Sequence, residues 1–184
     1  MNRLISSYLS ALRQVQWQEP AAFADQPERA WRWLSEQGSL SYLMKSHCQE
    51  FGVEVLHNEM MPAEQLDPQE QQLLMPEACL QRQVILKGDN TPWVLGRTLI
   101  PHSSLASDLG DGQTHDFRRQ GETPLGVTIF NTADVKRDAL QIGWAHTAQG
   151  DLLARRSRLW MNHKPLLVAE LFLPTAPIYS KERA

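Results

Sequence analysis

The sequence predicts an α+β fold, an antiparallel β-sheet with helices packed on it. Three observations lead there. Apolar residues recur at helical spacing early in the chain, strand-like runs fill the later part, and clusters of Gly, Pro, Asn and Asp mark the joins. Strands that follow one another through hairpins favour an antiparallel sheet, with the helices on one side of it. At 184 residues the chain is expected to form one domain over 1–184, large enough to bury a substantial core.

The elements follow in order. Leu4, Ile5, Tyr8, Leu9, Leu12 and Val15 keep a helical period, so the start reads as an amphipathic helix rather than a signal peptide. Asp25 can cap a second helix with Pro27 in its first turn, running through Ala30 to Glu36 and stopping at Gly38. Ser39 can cap a third, with Leu40, Leu43, Met44, Cys48 and Phe51 on its apolar side. Residues 53–57 alternate as a strand, and Asp67-Pro68 opens a short helix through Leu74. The stretch 60–76 is either a flap over a site or an ordinary surface connection. Residues 81–86 (QRQVIL) and 93–100 (WVLGRTLI) flank a turn cluster and form a hairpin. A polar loop over 103–121 precedes Thr123-Pro124-Leu125-Gly126 and the apolar run VTIF. Residues 135–145 read as a strand, and a last hairpin joins 153–161 to 166–173 through Asn162-His163.

Composition excludes several classes. Hydrophobic residues make up 42%, charged residues 21%, and the formal net charge is −3, values ordinary for a globular protein. The acidic balance argues against a nucleic-acid surface, which needs a basic stripe. No apolar run is long enough for a membrane span. Cys48 and Cys79 have no CxxC partner, and the six histidines show no metal-ligand spacing, so reduced thiols, a cytoplasmic location and no metal or cofactor are expected. Ser103-Ser104 lacks a nucleophile elbow, Gly110-Asp111-Gly112 lacks a phosphate-loop context, and Arg155-Arg156-Ser157-Arg158 splits its charges between two strand faces.

Two features carry the chemistry. If Asp89-Asn90 form the turn of the first hairpin, counting back places Arg82 opposite Arg97, on a face shared with Leu86, Trp93, Leu95 and Leu99. Only a bulge breaks that pairing. Like charges directly opposite one another are destabilising, so two arginines among core residues either need an anion between them or lean outward to other partners. Glu170 interrupts an otherwise apolar strand from Pro165 to Pro174. Counting outward from the Asn162-His163 turn puts Arg155 opposite it, so Glu170 is either half of a structural ion pair or a proton carrier in a closed pocket.

The segments Pro92-Trp93-Val94-Leu95-Gly96-Arg97-Thr98-Leu99-Ile100-Pro101, Glu122-Thr123-Pro124-Leu125-Gly126, Arg155-Arg156-Ser157-Arg158, Lys164-Pro165-Leu166-Leu167 and Glu170-Leu171-Phe172-Leu173-Pro174, in this order, resemble the chorismate lyase family. The resemblance runs from about Leu80 to Tyr179. It implies an antiparallel sheet with helices and an enclosed pocket beneath helical flaps. It also implies a cofactor-free carbon–oxygen lyase that splits chorismate into 4-hydroxybenzoate and pyruvate for ubiquinone synthesis. Carried over, the ligand-binding arginines fall on Arg82 and Arg97, the essential glutamate on Glu170, and further ligand contacts on Leu125 and on Leu40, where the family usually has methionine. A monomer is expected, with no partner beyond substrate and product. The alternative is a non-catalytic sensor of a small carboxylate, since ligand-binding domains of some bacterial regulators are similar in fold. Those normally follow a helix-turn-helix module, whereas the helical residues before Val53 are few and lack a basic surface.

Overall fold

The computed structural model describes residues 3–108, 114–119, 121–130 and 135–180. The helices are α1 (Arg3–Arg13), α2 (Glu28–Leu34), α3 (Leu40–Lys45), α4 (Pro68–Leu73) and α5 (Leu125–Phe130). The strands are β1 (Phe51–Met61), β2 (Cys79–Gly88), β3 (Thr91–Pro101), β4 (Ala106–Asp108), β5 (Thr114–Asp116), β6 (Val135–Thr147), β7 (Gly150–Met161) and β8 (Lys164–Phe172). Six of them form one antiparallel sheet in the order β1-β2-β3-β8-β7-β6, and β4 pairs with β5 apart from it. The fold is α+β, as the hairpin pattern predicts.

Helices cover both faces of the sheet, not one. On one face, Tyr8, Leu9 and Leu12 of α1 pack on Ile85, Leu95, Ala154 and Leu171, while Leu66 and Leu74 beside α4 pack on Leu99 and Leu167. On the other, Trp33 and Leu34 of α2 and Leu40, Leu43 and Met44 of α3 pack around Leu86, Val94 and Phe172. Ile129 of α5 joins Leu80, Ile100, Leu159 and Leu166 on that same face. The central strands therefore bury both sides, which is why their sequences run apolar without alternation.

Local expectations survive with shifts at the ends. Asp67 caps α4 in a reciprocal capping box with Glu70, as its position before Pro68 suggests. The second helix starts after Pro27, which takes the N-cap position in place of Asp25. Part of the polar stretch after Ser103 forms β4, β5 and two 3-10 turns, while residues 109–113 and 120 of it lie outside the described residues. The VTIF run is helical, in α5.

The first hairpin turns where the sequence places it but does not keep the expected register. Asp89 and Asn90 both take positive φ, 48° and 62°, the backbone of a type I′ turn. Gly88 faces Thr91 and Lys87 faces Pro92, but Leu86 faces Val94, so Trp93 is an extra residue. Pro92 has no N–H to give the ladder, and the Trp93 indole lies directly over Gly88. A Cβ on Gly88 would stand 2.3 Å from that ring. The slip of one residue reverses the parity of everything beyond it. Arg82 faces Thr98 and Arg97 faces Gln83, so the two arginines point to opposite faces of the sheet.

Gly88→Ala is expected to force the indole off this seat and destabilise the protein by about 1–3 kcal/mol, the range for an overpacked site. Urea denaturation measures it, and Trp93→Leu in the same chain should recover part of the loss.

Candidate active site

The face bearing α2, α3 and α5 encloses a cavity of about 60 Å³. Strand residues form its floor: Arg82, Val84, Gly96, Thr98, Val168 and Glu170. Ser39, Leu40 and Ser41 of the α3 region and Leu125, Gly126, Ile129 and Phe130 of α5 form its roof. Gly126 lets the two roof helices meet, because a Cβ there would stand 2.6 Å from the Ser39 hydroxyl. The lining is mostly apolar with a few convergent polar groups, the usual make-up of a small-molecule site.

Across the sheet, Arg82 (β2) faces Thr98 (β3), and Val84 faces Gly96, which faces Glu170 (β8) and then Arg155 (β7). The last hairpin keeps the register counted from its turn, with Asn162 and His163 both at positive φ. The Arg155 Nε donates to Glu170 Oε2 at 2.5 Å. Its Nη1 donates to the carbonyls of Trp33 (3.0 Å), Leu34 (3.4 Å) and Glu36 (3.0 Å). Those carbonyls lie at and just past the C-terminal end of α2, where helices leave acceptors unpaired. Arg155, fully buried, thus ties the helix end to the sheet and fixes one oxygen of Glu170. The cross-strand ion pair exists, and the carboxylate also lines the cavity. The two readings of Glu170 are compatible.

Arg82 is 2% exposed. Its Nη2 donates to the carbonyls of Gly121 (2.6 Å) and Thr123 (3.4 Å), while Nη1 is buried without a partner. The Ser39 hydroxyl is buried and unpartnered too. Ser39 holds the N-cap position of α3 yet makes no cap bond, contrary to the role its sequence suggests. Buried donors without partners are costly, and more so when charged. Burial also pushes the Arg82 guanidinium below its ordinary pKa.

The structure brings Arg82, Glu170, Leu125 and Leu40 to one cavity, but not Arg97. Arg97 donates to Gln81 at 2.9 Å and pairs with Glu70 of α4 on the opposite face. Its nearness to Arg82 was a product of the unbulged register. The 60–76 excursion covers that opposite face as well, so α3 and α5 are the flaps over the cavity. The RRSR run divides as strand parity requires. Arg156 bonds Gln141 and Gln69, and Arg158 grips Asp138 with two bonds of 2.8 Å.

Sequence reasoning missed Arg137. It reaches in from β6, lines the cavity and donates to the carbonyls of Gln37 (3.0 Å) and Gly38 (2.9 Å) and to the Ser157 hydroxyl. Its guanidinium lies 5.8 Å from the centre of the Phe130 ring. Desolvation first, then the nearby Arg155 charge, pull its pKa down to about 10 against the pull of Glu170 and Glu36. Flanked by Lys136 and Asp138, it reads as part of an ordinary solvated charge run and gives no sequence signal of this kind.

Fold and cavity together define a class: an α+β domain with a small, mostly apolar cavity beneath two short helices, lined by Arg82, Arg137 and Glu170. A family model described as chorismate lyase matches residues 11–184, and the chain belongs to the chorismate lyase family, whose members are carbon–oxygen lyases. It is 54% identical over 183 residues to the probable chorismate pyruvate-lyase of Vibrio parahaemolyticus, covering 100% of this chain and 99% of that one. It is 36% identical over 179 residues to the chorismate pyruvate-lyase of Hamiltonella defensa, covering 95% and 94%. Among solved structures, PhnF from Mycobacterium smegmatis shares the fold with a TM-score of 0.51 and 13% identity over 79% of this chain and 70% of that one. Among the described residues no group of three or more His, Cys, Asp or Glu is placed to hold a metal ion. No described helix is long and apolar enough to cross a membrane.

Removing the charge of Glu170 leaves Arg155 buried without its carboxylate. Glu170→Gln is expected to lower stability by about 3–5 kcal/mol, and Arg155→Met in the same chain should restore part of it. Chemical denaturation of the two single variants and the double variant measures the coupling.

Proposed function

We propose that the chain converts chorismate to 4-hydroxybenzoate and pyruvate, supplying ubiquinone synthesis. The observation that carries this reading is the unpartnered Arg82 Nη1, a buried cationic donor inside a closed, mostly apolar cavity floored by Glu170. A guanidinium matches a carboxylate bidentately and stays charged at any working pH. In this reading Arg82 binds the ring carboxylate, with Leu40 and Leu125 closing over the ring. The hydroxyl-bearing ring carbon loses its proton, and the C–H electron pair becomes a ring π bond. The neighbouring ether C–O bond breaks, and its electrons leave with the enolpyruvyl oxygen as the enolate of pyruvate, whose methylene carbon takes up a proton to give pyruvate. Aromatisation makes the step downhill, so orientation, charge stabilisation and one proton carrier suffice. Glu170, oriented by Arg155, is the proton carrier. The free thiols of Cys48 and Cys79 support a cytoplasmic location.

Mixing purified protein with chorismate is expected to raise the absorbance of 4-hydroxybenzoate. Tight binding of that acid without turnover would instead favour the sensor reading, which rests on shared fold. Arg82→Ala should weaken kcat/KM by about 2–5 kcal/mol, the scale of a lost desolvated charge pair. Glu170→Gln, assayed under conditions where it is folded, should lose at least about a hundredfold in kcat. Near-normal turnover in either variant sinks the role given to that residue.

A further inference from the structure

We propose that Arg137 is a second carboxylate anchor, one that binds the enolpyruvyl carboxylate of the substrate and has nothing to bind in the aromatic product. The inference rests on the reading of chorismate as substrate and adds to it the residue that tells substrate from product.

The order of strands places it. Arg82 stands on β2 and Arg137 on β6, with β3, β8 and β7 between them. Four strand spacings of about 4.8 Å separate their backbones by roughly 19 Å. Each guanidinium reaches inward from its wall. Arg137 extends over β7 far enough to bond Ser157, and both arginines line the same cavity. Glu170 sits on β8, between the two. A compact dianion such as chorismate, with one carboxylate on the ring and one on the ether arm meta to it, suits this order, with its ether linkage over Glu170.

The donors of Arg137 agree with this role. Three of its five N–H groups have partners among the described residues, all of them neutral acceptors: two carbonyls and a hydroxyl. Each terminal nitrogen therefore keeps an N–H for a ligand. Arg155 keeps an unpartnered Nη2 but does not line the cavity; its other donors hold Glu170 and three carbonyls. Arg97 is on the other face, paired with Glu70. Arg137 is the remaining cation of the cavity lining, and its depressed pKa marks a charge that lacks a full counter-ion.

The product keeps the ring carboxylate held by Arg82, while the second carboxylate departs with pyruvate. The test compares two stable ligands, 4-hydroxybenzoate and 3-(carboxymethoxy)-4-hydroxybenzoate, which differ by an ether arm that ends in a carboxylate. Arg137→Gln is expected to weaken the dicarboxylate by at least roughly thirtyfold while the affinity for 4-hydroxybenzoate stays within about twofold. The KM for chorismate should rise with it. Equal weakening of both ligands, or no change in either, overturns the proposal. Absence of wild-type turnover would defeat the proposed reaction but not this comparison, which needs no chemistry. If Arg137→Gln does not fold, Arg137→Lys carries the same comparison, and an unchanged ratio of the two affinities overturns the proposal.

Discussion

The buried Arg155–Glu170 pair is the contact on which the cavity depends. Arg155 is wholly inside the protein, and it joins three parts that local forces alone would leave separate: the end of α2, the centre of the sheet and the cavity floor. Desolvating a guanidinium costs several kcal/mol, and the attraction of one carboxylate offsets that only with further hydrogen bonds. The helix-end carbonyls supply them. The same bonds satisfy acceptors that a short helix leaves bare, so each side removes the other's penalty. Glu170 is held at a fixed oxygen as a consequence, which is what a positioned catalytic carboxylate requires.

The cavity is lined by two arginines and one floor carboxylate, so its positive charge is only partly balanced. Arg82 retains an unpartnered nitrogen, Ser39 an unpartnered hydroxyl, and Arg137 a depressed pKa. In a water-poor site such groups bind an anion more strongly than they would at the surface. The opposite face uses arginine in another way. There Arg97 meets Glu70, with its Nη2 buried and unpartnered, and Arg156 meets neutral amides of Gln141 and Gln69, so that α4 is held down on the sheet. One sheet thus uses arginines on one side to line a cavity and on the other to fasten a helix.

The division between the two faces turns on a single residue. Trp93 is the extra residue of the β2–β3 ladder because Pro92 cannot donate to it and Gly88 leaves room for an indole. Without that bulge, Arg97 would share the face of Arg82, as simple counting suggests. With it, Gly96 and Thr98 face the cavity and Arg97 is sent to the far side. The last hairpin has no such insertion, and counting from Asn162-His163 therefore places Arg155 against Glu170 correctly.

The sequence by itself determined the α+β class, the places of the two hairpin turns, the start of α4 and the chorismate lyase resemblance, and it singled out Arg82 and Glu170. Each of these rests on residues close together in the chain: turn formers, a capping box, an acidic residue within an apolar run. Only the tertiary structure decided which face Arg97 takes, which helices form the roof and that Arg137 belongs to the cavity. Strand parity depends on one bulge that Gly88 and Trp93 settle through packing. Roof and cavity depend on contacts between distant segments, with Arg137 meeting Gln37 and Gly38 a hundred residues earlier in the chain. Periodicity reports which residues are buried, but not which buried residues meet.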